Sequence, residues 1–260
     1  MNILFVGDIF GKPGRRAVRE LLPGLRREHE IDFCIGNAEN AASGAGITPE
    51  IVQELLDAGL DVLTGGNHTF DRKEGHAILD DDLRVLRPAN YPDLVPGRGV
   101  GLYPRGTEKI AVVSLMGRVF MPALDDPFRK ADELLEDLAQ ATSIILVDFH
   151  AEATSEKQAM GWYLDGRASV VVGTHTHVQT ADERILPRGT AYLTDAGMTG
   201  PHDSVIGVRK ELALERLRTA MPVRFQPAEG DVRLHGLVVR VDPQSGRARM
   251  VQRVQKSLED

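Results

Sequence analysis

The chain has 260 residues, 42% of them hydrophobic and 27% charged, an ordinary globular balance that excludes a disordered chain. Acidic residues outnumber basic ones 38 to 31, and the resulting net charge of -7 excludes a general attraction to duplex nucleic acid. No stretch approaches the roughly 20 apolar residues of a membrane span, and the opening "MNILFVGDIFG" lacks a basic leader region, so a cytoplasmic location is expected. The one cysteine, Cys34, cannot form an internal disulfide, and its apolar neighbours mark it as a core thiol.

Short apolar runs alternate with helical patterns, as in βα units built around buried strands. The first strand is expected at residues 3–6, ending in "GD" with Asp8; a helix over 15–28 follows, with a break at Pro23. A strand at 33–35 runs into "GNAEN", which carries Glu39 and Asn40, and then into the glycine-rich loop 43–46. Thr48 and Pro49 form a good N-cap and first-turn pair for a helix over 49–58. A strand at 62–63 precedes "TGGNH" with Asn67 and His68, and a helix is expected over 72–80. Strands at 110–115 and 144–147 flank a helix over 129–139, and the second of them ends in "DFH" with His150. After a helix over 156–163, the strand 169–172 ends in "GTHTH" with His175 and His177. The remainder reads differently: two short strands within "ILPRGTAYLTDAG", a helix over 209–218, and a hairpin turning at "DPQSG". The early strands are continuous apolar runs, as strands covered on both faces are. No repeat or linker interrupts the pattern, so residues 1–260 are expected to form one α/β domain with a two-sheet core.

Polar residues cluster where strands stop. Ligands of open α/β sheets bind beyond the carboxyl ends of the strands, so Asp8, Glu39, Asn67, His150, His175 and His177 are expected to converge. His175 and His177 sit one residue apart in an extended segment and project to one side. Neutral imidazoles and short carboxylates at several strand ends make a ligand set for Zn, Fe, Mn or Co. No Cys-His or Ser-His-Asp arrangement stands out as a protein nucleophile. An amidohydrolase also binds metal through H-x-H, but it places that pair after its first strand, whereas here the pair comes late.

The ordered set "GDIFG", "GNAEN", "GGNHTFD", "DFH" and "GTHTH" resembles the calcineurin-like metallophosphoesterase superfamily. With "GKPGR", "ENAASGAGIT" and "LTDAGMTGPHDSVIG" added, it is similar to the YmdB-like branch over nearly the whole chain. Two positions depart from the superfamily pattern: Phe10 stands where a histidine ligand is usual, and Glu39 where a bridging aspartate is usual. The resemblance implies two packed mixed β-sheets flanked by helices, a four-layer sandwich. It implies a di-metal phosphodiesterase for cyclic nucleotides, most of all 2',3'-cyclic nucleotides, with iron or, next, manganese. Asp8 and His177 would hold one ion, Asn67, His150 and His175 the other, and Glu39 would bridge them. Asn40 is the candidate replacement for the histidine missing at Phe10, and His68 would assist the leaving oxygen, with Asp71 either orienting it or serving as the N-cap of the following helix. Two divalent ions against two carboxylates leave a surplus charge that a bridging hydroxide, the expected nucleophile, and one phosphodiester monoanion neutralise. The rival reading is a regulatory or RNA-related binding protein that keeps the fold without the chemistry. A small phosphodiester is the expected partner, and a homo-oligomer is compatible with the sequence. His202, in a loop after a strand, is a candidate wall or lid of the site or part of a plain surface loop.

Overall fold

Alternate residues of the first strand enter different cores. Leu4 and Val6 join one apolar cluster and Ile3 and Phe5 another, because successive side chains of a strand point to opposite faces. The computed structural model describes residues 1–259 and extends this division through two sheets. In the first sheet the order is β2 (Asp8–Ile9), β11 (Met198–Pro201), β12 (Val232–Val241), β1 (Asn2–Val6), β3 (Phe33–Asn37) and β4 (Val62–Thr64), with β13 (Ala248–Ser257) also paired to β12. In the second it is β5 (Val100–Arg105), β6 (Glu108–Met116), β7 (Ile144–His150), β8 (Val170–Thr174), β10 (Ala191–Leu193) and β9 (Arg184–Ile185).

The sheets share one apolar layer: Ile3, Phe5 and Ile35 of the first pack with Val112, Leu146 and Val172 of the second. Helices α1 (Gly11–Glu28) and α2 (Pro49–Asp57) cover the outer face of the first sheet with Val18, Leu22 and Leu55. Helices α4 (Pro127–Ala141) and α5 (Thr154–Tyr163) cover the second with Ala131, Leu135 and Met160. This is the expected four-layer sandwich. Strands β1, β3 and β4 are mutually parallel, as are β6, β7, β8 and β10, so each sheet has a common carboxyl edge.

Pro23 does not break α1, which runs unbroken through it. The missing hydrogen bond costs about 3 kcal/mol, and burying Leu22 and Leu25 against the sheet at about 2 kcal/mol each outweighs it. The helix expected over 72–80 is a 3-10 turn, Lys73–Gly75, followed by α3 (His76–Asp81). Thr48 caps α2 as expected, its hydroxyl accepting from Ile51 N at 3.4 Å. The C-terminal helix is α6 (Lys210–Thr219), and the last two strands form the expected antiparallel hairpin. Cys34 is fully buried, and burial pushes its thiol far up.

Candidate metal centre and adjoining cleft

The parallel strands deliver their polar ends to one place. Asn37 at the end of β3 donates to Asp148 of β7 at 3.0 Å, which ties the carboxyl edges of the two sheets together. Around this tie lie Asp8 after β1, Glu39 and Asn40 after β3, Asn67 and His68 after β4, His150 at the end of β7, and His175 and His177 after β8. Donor atoms of Glu39, His150 and His175 all lie within 4.8 Å of one another. His150 Nε2 is 3.0 Å from Glu39 Oε1, 2.9 Å from Asn67 Oδ1 and 3.1 Å from His175 Nδ1. On the other side of Glu39, His177 Nε2 is 3.3 Å from Asn40 Nδ2 and 3.8 Å from Asp8 Oδ1. Gly66 passes so close that a Cβ there would collide with Glu39 and His150.

The outer nitrogen of each histidine settles its tautomer. His177 Nδ1 donates to the Ile206 carbonyl at 2.9 Å, and a carbonyl only accepts. His175 Nε2 lies 3.1 Å from the Glu152 carboxylate, which likewise accepts. The Thr174 hydroxyl donates to Asp148 at 2.7 Å and so accepts from His150 Nδ1 at 2.9 Å. All three rings therefore turn their second nitrogen inward, the arrangement that outer-shell partners impose on metal-binding histidines.

The interior is short of positive charge. Asp8 Oδ1 is buried without a hydrogen-bond partner, and burial raises the pKa of that carboxyl. Burial also works against ionising Glu39, but His150 outweighs it and holds the carboxyl down at about 2. Burial disfavours the charged form of His150, yet Glu39 and the other carboxylates raise it to about 9. Burial and the neighbouring His150 push His175 down to about 3. Inward-turned ring nitrogens and two buried carboxylates, Asp8 with one oxygen unpartnered, make a nitrogen and oxygen donor set that fits divalent metal, which would replace the proton that the carboxylates hold on His150.

Phe10 supports this set from beneath. Its ring is buried, meets His177 edge-on at 5.6 Å, and is clasped by Gly44 and Gly207, where added Cβ atoms would strike it. Asn40 Nδ2 donates to Glu39 at 3.2 Å beside His177; rotation of the amide would bring its oxygen to the same point. His68 faces the cleft, its backbone N–H donating to Glu39 at 2.8 Å and its Nδ1 held 2.7 Å from Asp71. Asp71 thus engages His68, and Arg72, with no side-chain cap bond, occupies the N-cap of the 3-10 turn that follows. His202 is no wall of the cleft: its Nε2 donates to the Met198 carbonyl at 3.1 Å and its ring lies tilted against that of His235, centroids 4.3 Å apart.

Three functional neighbours escape sequence reasoning. Asp148 accepts from Asn37, Thr64 and Thr174, and burial raises its pKa to about 6. Lys157 and Asp195, each 1% exposed, pair at 2.6 Å. Asp195 also accepts from Thr176 N and Oγ1, at 3.1 and 2.7 Å. Thr176 sits between His175 and His177, whose φ angles of 103° and 64° lie in the left-handed region that non-glycine residues rarely adopt. The signals available were a charge inside the apolar run of β7 and a lysine on the covered face of α5.

Two packed mixed sheets with carboxylate, asparagine and histidine donors beyond their parallel strands define a metallophosphoesterase of the calcineurin-like class. The NAD nucleotidase of Haemophilus influenzae shares this fold, with a TM-score of 0.64 at 16% identity over 99% of this chain and 56% of that one. The chain belongs to the YmdB-like family, whose model, described as YmdB-like protein, matches residues 4–254. A Bacillus subtilis (strain 168) protein named 2',3'-cyclic-nucleotide 2'-phosphodiesterase is 52% identical over 254 residues, 98% of this chain and 96% of that relative. A crystal structure of a phosphatase from Mycoplasma pneumoniae superposes with a TM-score of 0.93 at 32% identity, covering 99% of this chain and 93% of that one. No helix among the described residues is long and apolar enough to cross a membrane.

Proposed function

We propose that the chain is a divalent-metal phosphodiesterase that hydrolyses 2',3'-cyclic nucleotides, acting as one catalytic domain. The observation that carries this reading is the inward turn of His150, His175 and His177 around the buried Glu39 and the unpartnered Asp8 oxygen. The name of the Bacillus subtilis relative supports the substrate class. Glu39 lies between two donor groups, Asp8, Asn40 and His177 on one side and Asn67, His150 and His175 on the other, which suits a pair of ions. The oxygen-rich first group favours iron, then manganese, over zinc. Ions held there would supply Lewis acidity toward the phosphoryl oxygens and a water of lowered pKa.

The chain's own residues orient and shuttle protons. Thr174 and Ile206 hold the outer Nδ1 of His150 and His177, and Glu152 the outer Nε2 of His175, so that each ring turns its other nitrogen to the centre. Asp71 accepts from His68 Nδ1, so the doubly protonated ring would give its Nε2 proton to the ribose oxygen as its bond to phosphorus breaks, and would remain as the neutral Nδ1–H imidazole. Ring opening breaks one of the two P–O ester bonds and adds water, yielding a nucleoside monophosphate. Retention of the whole donor set favours turnover over a purely binding role.

The test is hydrolysis of 2',3'-cyclic AMP by purified protein whose metals are counted, beside 3',5'-cyclic AMP and a simple phosphomonoester. Turnover of the first with two ions bound is expected. Two bound ions without turnover of the first overturns the substrate assignment, and protein that retains no metal overturns the centre.

A further inference from the structure

Beside the metal donors lies a cleft of about 440 Å³, within the range of small-molecule sites, one wall of which is apolar. Ile206 and Phe225 form that wall, and they are 56% and 50% exposed, so neither is there to fill the core. His68, His175 and His177 line the same cleft, so a phosphate at the donors would leave the rest of its molecule against the apolar side.

Ile206 is the more telling of the two. Val205 and Val208 exchange backbone hydrogen bonds at 2.9 and 3.0 Å across a two-residue loop. Both loop residues are left-handed, Ile206 at φ 47° and Gly207 at φ 96°. Loops of this kind favour Asn-Gly, and a β-branched residue in the first position is a conformational outlier. The fold does not call for isoleucine there, since its side chain is more than half exposed. Nor does the hydrogen bond to His177, which uses the Ile206 carbonyl and could be made by any residue. What only the isoleucine supplies is an apolar face toward the cleft.

Resting on the phosphodiesterase reading above, we infer that Ile206 and Phe225 form a nucleobase subsite: the planar heteroaromatic base stacks on Phe225 and packs against Ile206 while the phosphate occupies the metal donors. Stacking of this kind is tolerant of base identity, because every base has a π-face. The subsite therefore separates nucleotides from base-free diesters more sharply than it separates one base from another.

The experiment compares 2',3'-cyclic AMP with glycerol 1,2-cyclic phosphate, which has the same five-membered cyclic diester and no base, using Mn²⁺-loaded protein. Phe225→Ala is expected to lower the ratio of the two kcat/KM values by about 5- to 150-fold, chiefly through KM for the nucleotide, and Ile206→Asn to lower it in the same direction. Phe225→Tyr, which keeps the ring, should retain the wild-type ratio. Ile206→Asn should melt at or above the wild-type temperature, because asparagine accepts the left-handed conformation, so its loss cannot be assigned to unfolding. An unchanged ratio in both variants, with wild type active on both diesters, overturns the subsite and leaves the phosphodiesterase reading standing. Wild type that turns over neither diester overturns that reading and this inference with it.

Discussion

Replacing Lys157 with Met would leave the Asp195 carboxylate buried without its counter-charge. The pair is 2.6 Å apart and each side chain is 1% exposed, so solvent cannot step in for the lost ammonium. Removing one partner of such a pair costs about 3–5 kcal/mol. Asp195 keeps Thr176 N, Thr176 Oγ1 and Gly197 N as donors, which places the expected loss near the low end, about 3 kcal/mol. At about 2–4 °C per kcal/mol for a chain of this size, the melting temperature should fall by roughly 6–12 °C. Because Asp195 holds Thr176, the residue between two left-handed histidines, Mn²⁺ affinity should fall as well. Urea unfolding in EDTA reads the first effect and Mn²⁺ titration the second. The double variant Lys157→Met/Asp195→Asn, with no buried charge, should recover part of the stability but not the affinity. A single-variant loss below about 1 kcal/mol, the range of exposed pairs, would refute the reasoning.

Glu39→Gln keeps the side-chain shape and removes the central charge, so metal counting should find ions lost and turnover abolished in a chain that still unfolds cooperatively. His68→Ala should keep its metals and lose about 10²- to 10⁴-fold in rate; loss of metal instead would make His68 a ligand. His235, buried with both ring nitrogens unpartnered, has its pKa lowered to about 4 by burial and the adjacent His202. The unfolded chain, with its ordinary imidazole pKa of about 6.5, binds a proton first on acidification, so this contribution is full above that value and is lost as pH falls toward 4. Between pH 7 and 5 the wild type should lose about 2 kcal/mol more than His235→Phe by urea unfolding; equal losses would place the titration elsewhere.

Much of the centre is legible residue by residue. A strand buried on both faces must be apolar along most of its length, so Asp8, Glu39, Asn67 and His150 stand out as metal-ligand residue types within a few positions of the end of each apolar run. Their convergence follows from parallel pairing, which brings every carboxyl end to one edge. The edge strand β5, with its largely exposed side chains, lacks that contrast, and no continuous apolar run marks it in the sequence. Asp148 sits inside an apolar run and looks like an error until Asn37, Thr64 and Thr174 are seen around it. His202 shows the reverse: a glycine- and proline-bounded loop suggested a cleft wall, and the ring instead found His235 in β12, 33 positions along the chain.

Read alone, the chain specifies a two-sheet α/β sandwich and the donor types at its strand ends, because buried parallel strands and metal-binding side chains each carry a local signature of apolarity, spacing and residue type. The tautomer of each histidine, the Lys157–Asp195 brace and the apolar wall at Ile206 belong to the tertiary structure. Each depends on which atom lies within about 3 Å of another, and the partners, Ile206 with His177 or Asp195 with Lys157, are 29 and 38 positions apart. No local pattern records such a meeting; the packing of the two sheets creates it.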